Sequence, residues 1–433
     1  FGENNRFGVF PAVSLGWTIS NEDFFKNAVP VVSNLKLRAG SGRVGNQEIG
    51  DYSSTQQFAT NYGTIQGTST RANGSAYDIS GANTGTLRSG YVATRLANPN
   101  LRWETTDEIN AGFDFGILKQ KITGSFDYFT RTTKDILITP PTPGAMGDGA
   151  TQTVNGATME NRGFEITLGY HDTKGEFTYS VDGNLSRFKD EVTFLPASVV
   201  RSYPGNIEKT ILGQSRTAVF GYIADGIFQT PEEVTAHATQ PGKGVGRIRY
   251  RDLNGDGLID ALDQDWLGTE LPGFIYGINT QVGYKRFTLS IFMRGVANIT
   301  VNDANKSFTD FLGTNVGVGK GTRILDAWTP QNRDASIPAA SLVNANQETR
   351  ASTYLRVRGD YFKIQTIQLG YTVPEALLTK VGISSLRLYT VADNAILIFN
   401  KKGEDAFTGP DPETPGSIYP RPIRVTFGLD LRF

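Results

Sequence analysis

The residues best suited to chemistry lie in one stretch, DLNGDGLIDALD, at positions 252–263. Asp252, Asn254 and Asp256 put side-chain oxygens at the first, third and fifth positions of a loop, and Gly257 at the sixth permits a tight turn. Leu258 offers a backbone carbonyl at the seventh, Asp260 stands at the ninth and Asp263 closes the loop at the twelfth. This oxygen spacing suits calcium, a hard cation that takes about six to eight oxygen ligands. Asp263 stands where a bidentate Glu is usual, and its shorter side chain predicts a weak site. The other reading is a loop rich in Asx turns, in which Asp and Asn side chains cap their own backbone. Both readings stay open at this stage.

No other constellation of residues competes. There is no cysteine, so disulfides and thiolate metal sites are excluded. A hydrolytic triad needs a histidine between a nucleophile and an orienting acid. The only histidines, His171 and His237, stand beside no nucleophile motif. Among 43 Asp and Glu no pair is singled out by spacing, so no catalytic residue is assigned and no enzyme is expected. Balanced charge, 42 Lys and Arg against those 43 acids, gives no basic footprint and argues against a nucleic-acid partner.

The elements that would position the loop are strands. The chain ends IRVTFGLDLRF, in which Ile423, Val425, Phe427, Leu429, Leu431 and Phe433 alternate with polar or small residues. A period of two marks a strand with one apolar and one polar face. The same device recurs in VSLGWTI, LKLRA, INAGFDF, ITGSFDY, FEITLGY, FTYSVDGNL, YGINTQVGY, FTLSIFM, YFKIQTIQLGY and RLYTVADN. YFKIQTIQLGY changes phase between Ile364 and Ile367, which predicts a β-bulge there. With mean hydropathy −0.28 and no apolar run of about 20 residues, a helical membrane protein is excluded, whereas a β-barrel is not.

About eleven strands result, and their connections come in two sizes that alternate strictly. GILKQK, HDTKGE, Lys285–Arg286 and the helical PEALLTKVG are short; the segments after Gly45, Asp135, Val192, Ala297 and Ile396 are long. An outer-membrane barrel has this grammar, with tight periplasmic turns and long extracellular loops. The expected fold is therefore all-β, part of a large antiparallel transmembrane barrel. Residues 193–273 form its longest extracellular loop and carry the calcium-loop-like motif. Since the first and last strands both run toward the periplasm and barrels close on even strand numbers, earlier strands are expected outside this sequence. Lys36, Arg38, Asp114, Asp127, Asp182 and Arg387 should face the lumen, while Trp17, Trp103, Tyr371 and Tyr389 suit interfacial girdles. Tyr203, Tyr222, Phe228, Trp266 and Trp328 would either stack on a ligand or pack within the loops.

Several longer stretches carry a family resemblance. NNRFGVFPAVSLGWTISNEDFF, NLKLRAGSGRVGNQ, NPNLRWETTDEINAGFDFG, ENRGFEITLGY, FGYIADGIFQTPEEV, RYRDLNGDGLIDALDQDWLGTELPGFIYGI, YFKIQTIQLGYTVPEALL, SLRLYTVADN and GPDPE succeed one another in order. Together they resemble the SusC/RagA-type TonB-dependent outer-membrane transporters. The resemblance implies the C-terminal part of a barrel of about 22 strands around a plug. It also implies active import of a glycan, oligosaccharide or peptide, energy from the TonB complex, and a SusD-like lipoprotein over the mouth. Outer-membrane lipid would surround the barrel, and Phe433 would resemble the terminal aromatic read by the barrel assembly machinery. The competing reading is a calcium-stabilised surface adhesin or carbohydrate-binding β-protein.

Overall fold

A computed structural model describes all residues except 61–90, 141–149, 201–203, 205, 207, 314–316, 318, 379–381, 404 and 418. Eleven strands form one antiparallel sheet in sequence order: β1 (Ala12–Thr18), β2 (Val32–Asn46), β3 (Glu104–Ile117), β4 (Ile122–Ile138), β5 (Val154–Lys174), β6 (Phe177–Phe194), β7 (Phe274–Tyr284), β8 (Phe287–Ala297), β9 (Tyr361–Thr372), β10 (Ser385–Phe399) and β11 (Arg424–Arg432). Each strand pairs with its neighbours in sequence, so every connection is a hairpin, with β1 and β11 at the two edges.

Period-two alternation sets the register. The pairing chain Trp17, Leu37, Phe113, Phe126, Ile166, Leu185 and Tyr276 runs an apolar row across seven strands on one face. One residue along, Lys36, Asp114, Ser125, Thr167 and Asn184 form the polar row of the other face, which reaches Arg294 and Lys363 on β8 and β9. A slip of one residue would exchange the two faces, so each pair of strands constrains the next. Val13, Leu15, Leu168, Val425, Phe427 and Leu429 are exposed on the apolar face, as expected of side chains that meet lipid.

The bulge predicted in YFKIQTIQLGY is present. Pairing passes from Thr366 directly to Ile364 opposite the adjacent residues Phe292 and Met293, leaving Gln365 extra. Ile364 and Ile367, an odd number of residues apart, both stay on the apolar face as a result. β10 answers with its own irregularity at Asn394, whose φ is +53°.

Loop length is sorted by the end of the sheet. At one end the links are Leu118–Lys121, Gly175–Glu176, Lys285–Arg286, residues 373–384 and residues 19–31, which hold the short helix α1 (Asp23–Ala28). Gly175 (φ +63°) and Lys285 (φ +53°) take the left-handed backbone that two-residue hairpins demand. At the other end stand residues 47–103, 139–153, 195–273, 298–360 and 400–423. Because β6 continues to Phe194, the longest loop begins two residues later than the expected 193–273.

Aromatic rings gather on the apolar face at the short-turn end. Tyr170 meets Tyr179 at 5.5 Å between centroids, Phe177 meets Tyr284 at 6.4 Å and Phe287 meets Tyr371 at 4.8 Å. That is the girdle expected for Trp17 and Tyr371. Two of the four expected girdle residues lie elsewhere. Tyr389 falls on the polar row, where its ring occupies the space a side chain at Gly428 would need. Trp103 precedes β3 at the long-loop end and stacks on Phe1 at 4.7 Å.

The loop between β10 and β11 is pinned to the polar wall by buried charge. Lys363 Nζ donates to Asp411 at 3.0 Å and Glu413 at 2.7 Å, with both Lys363 and Asp411 buried. Arg294 and Arg421 also reach Glu413, at 2.5 and 3.2 Å. Burial raises the Glu413 carboxyl's affinity for a proton, yet the hydrogen bonds from Lys363 and Arg294 outweigh it and hold the group ionised. Lys363→Met should leave the buried Asp411 carboxylate, among the described residues, only one cation, the more distant Arg421 at 3.6 Å. The imbalance is at most about 3–5 kcal/mol, the cost for a buried pair that loses its one partner. Residues 400–423 should then be cut faster in limited proteolysis followed by mass spectrometry, with the strands still protected. Unchanged cleavage would show that the pin is dispensable.

Candidate functional site

Three long loops interlock over β6–β11. Ile248, Tyr250 and Ile259 from residues 195–273 share one apolar core with Phe311 and Leu355 from residues 298–360. Val301, Val357 and Phe407 form a second core that draws in residues 400–423. A buried polar knot reinforces the first core. The Gln240 amide donates to the Ile248 carbonyl at 2.8 Å and to Asn346 Oδ1 at 2.6 Å, while Gln240 Oε1 accepts the Tyr250 amide at 2.9 Å. Glu348 Oε1 accepts the Ile248 amide at 3.1 Å. Ala224–Ile227 pairs with one edge of Ile248–Tyr250, and side chains serve the other edge, while the buried Tyr250 hydroxyl finds no hydrogen-bond partner among the described residues.

Asp303 and Asp310 extend the interlock. Asp303, fully buried, accepts the amides of Asn305 at 3.2 Å and Thr408 at 2.7 Å, tying residues 298–360 to residues 400–423. Asp310 accepts two bonds from Arg323, at 2.7 and 3.2 Å, and the Tyr354 hydroxyl at 2.6 Å. Burial first, and Asp310 second, push the Tyr354 phenol far above its ordinary range. Burial also lowers the affinity of the Lys306 amine for its proton. None of these residues carried a motif, because the partners are separated by long stretches of irregular chain.

The 252–263 loop projects from this platform. Asp252 accepts the amides of Gly255 and Gly257 at 2.7 and 2.9 Å. Asn254 Oδ1 accepts the Asp256 amide at 3.0 Å, and Asp256 accepts the Leu258 amide at 2.8 Å. Asp263 is wholly buried and accepts the amides of Leu253 and Asp260, both at 2.8 Å, while Asp260 accepts the Leu262 amide at 2.8 Å. Gly255 (φ +77°) and Gly257 (φ +82°) supply the left-handed turns. The bonds of Asn254, Asp256 and Asp260 are Asx-turn bonds, and Asp260 and Asp263 form a capping box. Among the described residues no three His, Asp or Glu side chains converge as a metal-ligating group. Each carboxylate oxygen still keeps a second lone pair, so the caps do not exhaust its accepting capacity.

The other singled-out residues fall into place. Arg38 pairs with Asp114 and Asp127 on the polar wall, at 2.8 and 2.9 Å. Lys36, Asp182 and Arg387 share that face, where Asp182 meets His171 Nε2 at 2.7 Å. His237 packs its ring edge against Phe228 at 5.1 Å, and burial lowers its proton affinity. Tyr222, Phe228, Trp266 and Trp328 pack inside the loops: Trp266 against Phe220 at 5.1 Å, Tyr222 against Tyr250 at 5.6 Å, and Trp328 through Nε1 to Gln229 at 2.8 Å. Tyr203 lies outside the described residues.

Comparison with known proteins agrees with this architecture. Residues 1–299 match the family described as TonB dependent receptor-like, beta-barrel. A TonB-dependent receptor of Formosa agariphila is 28% identical over the whole chain, which covers 42% of that relative. TonB-dependent receptor SusC of Bacteroides thetaiotaomicron is 29% identical, again over the whole chain and 41% of the relative. The chain thus spans less than half the length of these relatives. The solved RagAB peptide transporter superposes with a TM-score of 0.77 at 21% identity, covering all of this chain and 44% of that one. With eleven alternating strands, sorted loops and a match over residues 1–299, the chain is similar to the SusC- and RagA-type receptors and belongs to the TonB dependent receptor-like β-barrel family of outer-membrane proteins.

Proposed function

We propose that the chain is the C-terminal part of the barrel of a TonB-dependent importer, which brings an oligomeric nutrient (a glycan, oligosaccharide or peptide) across the outer membrane. The observation that carries this reading is the sorting of long loops to one end and their interlock over the mouth, above a polar inner wall. Lipid on one face and a wet lumen on the other require the two-faced strands seen here. The open edges of β1 and β11 need further strands to close the barrel, since unpaired backbone groups in hydrocarbon cost several kcal/mol each. A SusD-like lipoprotein would cover the loop platform, and the TonB complex would supply energy from the periplasm. No catalytic step is part of this reading.

Deleting the gene in its native host should abolish growth on one class of oligosaccharide or peptide and leave growth on the monomers intact. Collapsing the proton-motive force should stop uptake of the same class. Growth unaffected across both classes would remove the importer reading.

Phe433 lies just past β11 with its ring 89% exposed on the apolar face, and its carbonyl accepts Ser384 Oγ at 3.2 Å. We read it as a signal for the barrel assembly machinery. Its deletion removes at most about 1.5–3 kcal/mol of burial against lipid, too little to unfold a ladder of strands. Outer-membrane abundance should fall sharply while surviving molecules keep their heat-resistant migration on gels. Normal abundance would make Phe433 ordinary strand sequence.

We further propose that calcium occupies the 252–263 loop, drawing on the free lone pairs of Asp252, Asn254, Asp256 and Asp263, the Leu258 carbonyl and Asp260. Asp263→Ala strips two part-buried amides of their acceptor, at up to about 1–3 kcal/mol each, and should open the loop to protease with or without calcium. Asp256→Ala removes only exposed bonds, from the Leu258 amide and the Asn254 side chain, and should open the loop more with calcium present than with chelator. A wild-type loop cleaved at the same rate with calcium and with chelator would leave the Asx-turn reading alone.

A further inference from the structure

A cleft of about 450 Å³ opens where residues 224–229, 306–356 and 405 meet. It falls within the range of about 300–1,000 Å³ usual for small-ligand sites. Four cationic side chains border it, Lys306, Arg323, Arg333 and Arg356, against two carboxylates, Asp334 and Asp405.

Donors and acceptors around this cleft are unequally committed. Lys306 is buried, yet among the described residues its ammonium donates one bond, to the Tyr354 carbonyl at 2.9 Å. Arg356 has a side chain only 5% exposed; Nη1 reaches Glu270 at 2.8 Å and Nη2 reaches the Thr300 carbonyl at 3.0 Å, but Nε is buried without an acceptor. Arg333 is exposed at the mouth and makes no ion pair among the described residues. The acceptors nearby are taken. Asp310 serves Arg323, Tyr354 and Thr309; Asp303 serves Asn305 and Thr408. Asp334 and Asp405 are exposed, and Asp405 accepts from Asn400 at 3.0 Å. The floor therefore concentrates positive charge on a buried Lys306 that makes one hydrogen bond and one ring contact, with Tyr354 at 4.8 Å, and on a buried Arg356, while the lining carboxylates sit in water, which screens them.

We propose that this cleft binds a carboxylate group of an oligomeric ligand, held by Lys306 and Arg333, with the charge of the buried Arg356 guanidinium behind them. A carboxylate supplies an acceptor for the Lys306 ammonium and the Arg333 guanidinium, and charge-assisted bonds of this kind are about twice as strong as neutral ones. It would also hold the Lys306 ammonium charged against the desolvation that opposes it. A carboxylate can come from an acidic glycan or an acidic peptide, and the two sources share this chemistry. That the ligand is cargo rests on the importer reading; the affinity of the cleft does not.

Calorimetric titration of the full-length transporter in detergent tests the assignment, using tri-galacturonate and tri-glutamate, with maltotriose and tri-glutamine as neutral counterparts. At least one acidic trimer should bind about tenfold tighter than its counterpart, a difference that rising salt erodes. Which trimer wins identifies the source. Arg333→Gln, at an exposed position, should weaken the acidic trimer about tenfold and leave the neutral one unchanged; Lys306→Met should do the same if it folds. Acidic and neutral trimers binding alike, or a preference that survives Arg333→Gln, would overturn the proposal. Acidic binding retained in a protein that supports no uptake would leave the cleft standing and remove the importer reading.

Discussion

A lipid bilayer offers no partner to a backbone amide or carbonyl, and this constraint governs the whole chain. Every residue between Ala12 and Arg432 that crosses hydrocarbon must have its hydrogen bonds met by a neighbouring strand. A meander in which each strand pairs with the next meets the demand with the shortest connections, and the order β1 to β11 is that meander. The apolar row through Trp17, Leu37, Phe113 and Phe126 and the polar row through Lys36, Asp114 and Ser125 follow from it, since a strand has only two faces.

Freedom lies at the ends of the strands, and the two ends use it differently. The short-turn end has links as brief as two residues and a ring of aromatics at the interface. The opposite end carries enough chain to fold for itself. There Ile248, Tyr250, Phe311 and Leu355 make a water-soluble type of core, and Gln240, Asn346 and Glu348 bridge segments about a hundred residues apart in sequence. This platform is more rigid than the word loop suggests. Lys363 adds to that rigidity by drawing Asp411 and Glu413 onto the barrel wall, where the low dielectric strengthens a pair that must stay complete.

The same buried electrostatics explain why the platform can hold a binding cleft. Asp303 and Asp310 are engaged by structural donors, and the cations beside them are held in place, with Arg356 Nε left without an acceptor. A site whose donors are fixed before the ligand arrives loses little entropy on binding.

The sequence by itself determined everything that depends on a period of two. The strand count, the faces of Arg38, Asp114 and Asp182, the bulge at Gln365 and the alternation of short and long connections could all be read from it, because a barrel strand sees only lipid or lumen. Tyr389 shows where that reading fails: it stands in phase with Arg387 on the polar row, and its aromatic character suggested the interface instead. Tertiary structure alone decided the loops. Their cores join residues from separate irregular segments, with no period to mark them. Lys306, Arg323, Arg356 and Asp310 gain their meaning only from burial and from the partners that folding brings beside them. The 252–263 motif lies between the two cases: its spacing prescribed the turns and the side-chain caps on their own backbone, while the burial of Asp263 came from the platform on which it sits.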